Sequence, residues 1–290
     1  MIKRTTALLA ALLSAAACES PSEAEDEVPL SARVIVFSQD GDIWRMNGDG
    51  TGLAKLTQSP AVEDNPAWSP GGESIYYNTN LAGMVYLYRM DADGTSAEQI
   101  TNGPMLAAQA SPAPDGQRLA FVTAGQDLNV AVRNGDGSVH TIAALPGHDS
   151  EPAWSPSGGR IAFSNAGTER GLYTVRPDGT QLMRLTTWSS GWPAWSPDGA
   201  RMVVLGGEVP GPRLWVLRAD GSGAEPLTGT QFFAGAADWS SDGRWIVFSA
   251  AQPAPGGFWV IRPDGSGARR LPYTGTGQYP RWRPLPRRFD

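Results

Sequence analysis

The stretch Pro193-Ala194-Trp195-Ser196-Pro197-Asp198-Gly199 decides the fold, because it recurs. It returns as Pro66-Ala67-Trp68-Ser69-Pro70-Gly71-Gly72, as Pro152-Ala153-Trp154-Ser155-Pro156-Ser157-Gly158 and as Ala237-Asp238-Trp239-Ser240-Ser241-Asp242-Gly243. Pro112-Ala113-Pro114-Asp115-Gly116 keeps the turn and loses the Trp, and Pro280-Arg281-Trp282-Arg283-Pro284 stops before the turn. With Pro112 taken as the Trp position, the anchors 68, 112, 154, 195, 239 and 282 are spaced 44, 42, 41, 44 and 43 residues apart. A period of this size belongs to a propeller or a solenoid.

The residues after each anchor choose between them. A short apolar run follows the first turn, as in Ile161-Ala162-Phe163 or Ile246-Val247-Phe248. A loop leads to a second run such as Leu172-Tyr173-Thr174-Val175 or Leu214-Trp215-Val216-Leu217. A second Asp-Gly turn follows, for example Asp178-Gly179, and the unit closes on a strand ending near Leu185-Thr186 or Leu227-Thr228. Short β-branched and aromatic runs punctuated by Asp-Gly are strands joined by tight hairpins. Four such strands in one period make one propeller blade.

The first folded segment has no anchor. Val34 to Phe37, Asp42 to Met46 and Leu53 to Thr57 match the second, third and fourth strands of the unit. Tyr279 to Arg283 supplies the missing first strand from the other end of the chain. The reading is an all-β, six-bladed propeller of four-stranded blades over 32–290, its ring closed by three N-terminal strands plus one C-terminal strand. Closure leaves only short, protected edges.

Two aromatic columns repeat once per unit. One is Trp68, Trp154, Trp195, Trp239 and Trp282; the other is Trp44, Tyr88, Tyr173, Trp215 and Trp259. Both are expected to fill the wedges between blades. The unit starting at Pro112 lacks both aromatics, which predicts a blade packed by other means or one that is locally looser.

Residues 1–17 read as an export signal. Lys3 and Arg4 precede an apolar run from Ala7 to Ala17 that is too short to span a bilayer. The run ends at Cys18, the only cysteine, in a context similar to a bacterial lipobox. Acylation at Cys18 would hold the chain on a membrane without spanning it. Glu19 at the next position points to the outer membrane, facing the periplasm. Residues 18–31 then form a flexible acidic tether.

A formal charge of −6 without a basic run sets nucleic acid aside. The arginines at 281, 283, 287 and 288 read as a solvated tail. No Gly-x-Ser-x-Gly elbow, zinc-spaced histidines or phosphate-cradling loop is present, and His148-Asp149-Ser150 is contiguous, unlike a triad. No catalytic residue, cofactor or metal site is assigned. The Asp-Gly turns are assigned to turn geometry and not to calcium.

In such a meander the short Asp-Gly turns share one face, and the longer, individual loops share the other. Binding concentrates on variable loops set on a rigid scaffold. Three positions before each anchor stand Asn65, Gln109, Glu151, Trp192, Ala236 and Tyr279, expected to ring the channel mouth on the variable face. Trp188, Phe232, Phe233, Glu63, Asp64 and Asp149 lie in the adjoining links. Asn65, Gln109, Glu151, Trp188, Trp192, Phe232 and Tyr279 are the candidate partner-binding residues; the alternative is that the Trp and Phe side chains plug the channel.

The phrase Pro-Ala-Trp-Ser-Pro-Asp-Gly, followed by Ile-Ala-Phe-Ser, Leu-Tyr-x-Val and Leu-Thr, resembles the repeat of TolB-like six-bladed propellers over about residues 32–285. The resemblance implies the fold and a protein partner docking at the channel mouth. The same blades occur in periplasmic scaffolds, peptidase propellers and some lyases, so the motif is weak for function. A short acidic tether stands where TolB itself carries an α/β domain. The expectation is a monomeric, non-catalytic, lipid-anchored envelope protein that binds a protein or peptide. The alternative is a propeller that binds or cleaves an envelope or extracellular glycan.

Overall fold

The computed structural model describes residues 28–285 except 82, 104 and 208–210. The export segment, Cys18, most of the tether, and Arg287 and Arg288 lie outside the described residues. The described chain forms six four-stranded antiparallel sheets. Blade 1 is built from Val34–Gln39, Asp42–Asn47 and Ala54–Lys55, with Gln278–Trp282 as its innermost strand. Blades 2 to 6 run outward from Glu63–Trp68, Ala107–Pro112, Asp149–Trp154, Ser190–Trp195 and Phe233–Trp239. The ring is therefore closed by three N-terminal strands and one C-terminal strand, as the repeat arithmetic requires.

The core lies between blades. Phe37, Ile35 and Met46 of blade 1 pack with Val247, Phe258 and Val260 of blade 6. Ala194, Val203 and Leu214 of blade 5 pack with Ala237, Phe248 and Ile261 of blade 6. The Trp column adds polar stitches. The Trp68 indole N–H donates to the Arg281 carbonyl at 3.2 Å, and that of Trp195 donates to the Ala153 carbonyl at 3.1 Å. In each pair the acceptor is the innermost strand of the preceding blade, so one side chain fills the wedge and pins its neighbour.

Blade 3, which lacks both aromatics, is packed differently. Its outermost strand, Val139–Ala143, has five residues where the other blades have two. This longer strand brings buried Ile142 and Ala143 into the cluster around Trp154 and Phe163.

The Asp-Gly turns consume their own carboxylates. Asp49 Oδ1 accepts from the Thr51 amide at 3.0 Å and the Thr51 hydroxyl at 2.7 Å. The pattern repeats at Asp93, Asp136 and Asp178, and the hydroxyl and amide bonds hold these carboxyls below their ordinary range.

Two tail arginines are not solvated tail residues. Arg281 lines the channel beside Asp238. Arg283 lies over the Trp68 ring at 5.3 Å and donates Nε to the Gly72 carbonyl at 2.9 Å. Both belong to the closing strand or its continuation, and that register, invisible in a charge count, carries them into the ring.

Candidate channel-mouth site

Each innermost strand carries a bulge in which two residues oppose one on the next strand. In five blades the first bulged residue is left-handed: Asn65 (φ 52°), Gln109 (φ 55°), Glu151 (φ 59°), Trp192 (φ 51°) and Tyr279 (φ 53°). These are five of the six positions three residues before the anchors. A left-handed non-glycine residue costs about 1–2 kcal/mol, so five together need support from their surroundings.

For four of the five the support comes from the preceding blade. The Asn65 amide donates to Ser38 Oγ at 3.1 Å, and the Gln109 amide to Asn78 Oδ1 at 3.3 Å. The Glu151 amide donates to Gln109 Oε1 at 2.8 Å, and the Trp192 amide to Glu151 Oε2 at 2.6 Å. A relay of side chain to amide thus runs from blade 1 to blade 5. Blade 6 breaks it: Ala236 is buried and has no positive φ. Over that gap Trp192 reaches towards Tyr279, and their rings meet at a tilt, centroids 4.5 Å apart and planes 34° apart. Trp192 and Tyr279 line one pocket together with Ala236 and Gln278.

Burial pushes the Glu151 carboxyl upward, against the opposing pull of the Trp192 amide, the Ser164 hydroxyl and the Arg281 charge. Burial also raises the Tyr279 phenol, with the charges of Asp64 and Glu151 adding to it.

Beneath the mouth, a 280 Å³ cavity runs along the axis between the Trp and Pro residues of the inner strands. The position before each anchor faces it. Ala67, Ser111, Ala153 and Ala194 are small there, whereas blades 6 and 1 place Asp238 and Arg281. Arg281 Nη1 approaches Asp238 Oδ1 at 3.9 Å. Burial raises the Asp238 carboxyl to about 6, with Arg281 and the Trp282 and Trp239 amides pulling the other way. At the Asp-Gly face the channel widens to a 770 Å³ basin walled by Pro70, Pro114, Pro156, Pro197 and Pro284.

A carboxyl raised in the folded state stabilises fully below its unfolded value, and that stability is lost as pH rises through the folded value. Asp238 and Glu151 shift in this sense. The propeller is expected to lose stability as pH rises from 3.8 through about 6, and Asp238→Asn to flatten that slope. Thermal melts across the window, wild type against variant, measure it. Equal slopes would remove Asp238 as the cause.

The remaining candidates separate on inspection. Phe232 is a correction: it is 5% exposed and packs edge-on against Phe248 and Trp259 in the blade 6 core, so it has no face to offer a partner. Its neighbour Phe233 is the exposed one, because alternation along the strand puts adjacent side chains on opposite sides. Trp188 packs on Trp215, centroids 5.4 Å apart, with its ring close over Gly206 at the edge of blade 5. Asp149 is fully buried, accepting from the Leu145 amide and Asn165 Nδ2 at 2.8 Å each. Sequence reading missed the channel pair. Its signal was the departure from the motif, Ala-Asp-Trp and Pro-Arg-Trp where other units carry Pro-Ala-Trp. Among the described residues no group of three His, Cys, Asp or Glu side chains could hold a metal ion.

Comparison with known proteins decides the family. A family model described as the TolB beta propeller domain matches residues 28–192, more than half of the chain. The chain belongs to the TolB β-propeller family. The solved TolB of Acinetobacter baumannii superposes with a TM-score of 0.79 at 19% identity, over 89% of this chain and 68% of that one. A chain of a nidogen/laminin complex gives 0.72 at 13% identity, over 87% and 98%. An oligogalacturonate lyase in complex with manganese gives 0.57 at 14%, over 79% and 70%. A comparison with curated proteins finds no match. At these identities the structural likeness speaks for the fold. Low identity to the A. baumannii protein agrees with a TolB-like propeller that is not TolB itself.

Proposed function

We propose that this TolB-like propeller is a non-catalytic, lipid-anchored module of the cell envelope that binds a protein or peptide at the variable-face channel mouth. The observation that carries the reading is the Trp192–Tyr279 ring contact beside Glu151, on a ring of strained residues. Strain held in place by neighbouring blades keeps the mouth preorganised, which lowers the entropy lost on binding. Aromatic side chains at a concave, half-buried position are the anchors protein interfaces favour. The TolB resemblance supports the same mouth, and a similar propeller is found in a nidogen/laminin complex. Acylation of Cys18 would place the module on the outer membrane, facing the periplasm, as a monomer.

The test is capture from solubilised envelope extract by immobilised protein. Wild type is compared with Glu151→Ala/Trp192→Ala and with Asp136→Asn on the Asp-Gly face. A discrete protein is expected with wild type and with Asp136→Asn, and is expected to be lost in the double variant. Loss of two central anchors weakens binding by about 2–4 kcal/mol, a factor of 30 or more. Equal capture by all three would discard the mouth. The glycan reading rests on the fold likeness to a lyase and on the aromatic pair, which could also stack on a sugar ring. Turnover of acidic oligosaccharides that is lost on Glu151→Gln would favour it.

A further inference from the structure

Blade 6 departs from its neighbours at the variable face, and the departure opens a pocket. Ser249 holds in blade 6 the place that Ser38 holds in blade 1, each following a fully buried Phe on the second strand. The Ser38 hydroxyl accepts the Asn65 amide of the next blade. The Ser249 hydroxyl has no such use: among the described residues its side chain makes no hydrogen bond. A Cβ at Gly235 would come within 2.5 Å of Ser249 Oγ, so glycine there keeps the hydroxyl uncovered. The strand-end threonines follow the same division. Thr57, Thr101, Thr186 and Thr228 each accept a strand amide of their own blade at 2.9 or 3.0 Å. Blade 6 has Pro272 at that place, and the side chains of Thr274 and Thr276 in the link beyond it bind no strand.

The space so left is a 570 Å³ pocket between Trp192, Phe233 and Tyr279. That volume is within the range of ligand sites, about 300–1,000 Å³. No Asp, Glu, Lys, Arg or His lines it. Six uncharged polar side chains do: Trp192, Ser249, Thr274, Thr276, Gln278 and Tyr279. Among the described residues none of the six side chains is hydrogen-bonded to the protein, and the polar atoms of half-buried Trp192, Ser249 and Tyr279 are open to solvent. Five glycines complete the wall and let a ligand approach bare backbone.

These walls define the ligand. Hydroxyl and carboxamide groups both donate and accept, so they match a ligand whose own groups do both. A charged ligand would leave water and find no counter-ion here. Three aromatic rings call for an apolar face next to the polar groups. A pyranose ring combines hydroxyls at its rim with C–H faces. We infer that this pocket binds a neutral pyranose unit of a saccharide, its C–H face against Trp192 and Tyr279 and its hydroxyls on Ser249, Gln278 and the two threonines. The inference goes beyond the protein-binding reading. It also differs from the acidic-glycan reading in place and charge, since Glu151 is not among the walls.

The test is an amide and indole NMR titration of the purified full chain with cellobiose, maltose and N,N′-diacetylchitobiose, and with digalacturonate as the charged control. Saturable shifts are expected at Trp192 and at residues 233–236, 249–251 and 274–279 with at least one neutral disaccharide, and not with digalacturonate. Ser249→Ala/Gln278→Ala is expected to weaken that affinity about tenfold. Neither side chain is bonded within the protein, so the variant should fold, and an unchanged melting temperature checks this. No saturable shift with any neutral disaccharide, an equal response to digalacturonate, or unchanged affinity in the variant would overturn the pocket. Saccharide shifts that persist when protein capture proves independent of Glu151 and Trp192 would leave the pocket standing and remove the mouth. The opposite pair of results would remove the pocket alone.

Discussion

A chain truncated after Gly277 should lose its cooperative unfolding transition. The deletion removes Gln278–Trp282, the innermost strand of blade 1, and leaves Val34–Gln39 as a bare inner edge. It strips Trp282, 5% exposed, from the wedge between blades 1 and 6. Losing a buried Trp alone costs about 3–5 kcal/mol. Several interblade bonds go with it: Trp282 amide to Asp238 Oδ2 at 2.8 Å, Trp68 Nε1 to the Arg281 carbonyl, and Arg283 Nε to Gly72. Each neighbouring blade loses the surface it packs on, and the total exceeds the stability of an ordinary domain, about 5–15 kcal/mol. Urea unfolding followed by far-UV circular dichroism reads the outcome. A soluble truncated chain with an intact sigmoidal transition would show that the ring does not need its C-terminal strand.

Arg33→Met is expected to be the most damaging single substitution at the seam. Arg33 is 2% exposed and grips Asp242 of blade 6 with two bonds, 3.1 Å and 2.5 Å, while its Nε holds the Val28 carbonyl at 3.1 Å. The pair joins the start of blade 1 to the first turn of blade 6, across the closure. Removing one partner of a fully buried pair costs about 3–5 kcal/mol; Asp242 is 24% exposed and keeps its bonds from Ser240 and Arg244, so the expected cost lies at or below the lower end. The pH dependence carries the signature. Burial pushes the Asp242 carboxyl up, but bonds from Arg33, the Ser240 hydroxyl and the Arg244 amide outweigh it and hold it at about 2, against an ordinary 3.8. A lowered carboxyl stabilises above its unfolded value and loses that contribution as pH falls from 3.8 through about 2. Acid unfolding of wild type should therefore show a step in this window that Arg33→Met diminishes. An unchanged acid profile would mean that the pair does not hold the seam.

These two contacts were not equally readable beforehand. The closing strand followed from the repeat, since Pro280-Arg281-Trp282 is a motif fragment whose missing complement is the first three strands. Arg33 precedes the first strand in no repeated phrase, and Asp242 sits in a turn that looks like every other. Their meeting depends on the ring closing, which brings residues 209 positions apart to one seam. Phe232 and Phe233 show the same limit at shorter range. Both are aromatic and adjacent in a link, and only the register of Phe233–Trp239 decides which one enters the core. The mouth ring was placed by counting back from the anchors. Its left-handed backbone, its relay of amides and its break at Ala236 were not legible, because they depend on what the preceding blade presents.

The sequence by itself determined the blade count, the strand order, the seam and the face that varies, because each follows from periodicity and turn chemistry repeated along one chain. Only the tertiary structure decided which side chains meet. Curling the repeats into a ring sets residues one or two periods apart side by side, and pairs such as Asp238 with Arg281 and Trp192 with Tyr279 exist only once that curvature is made.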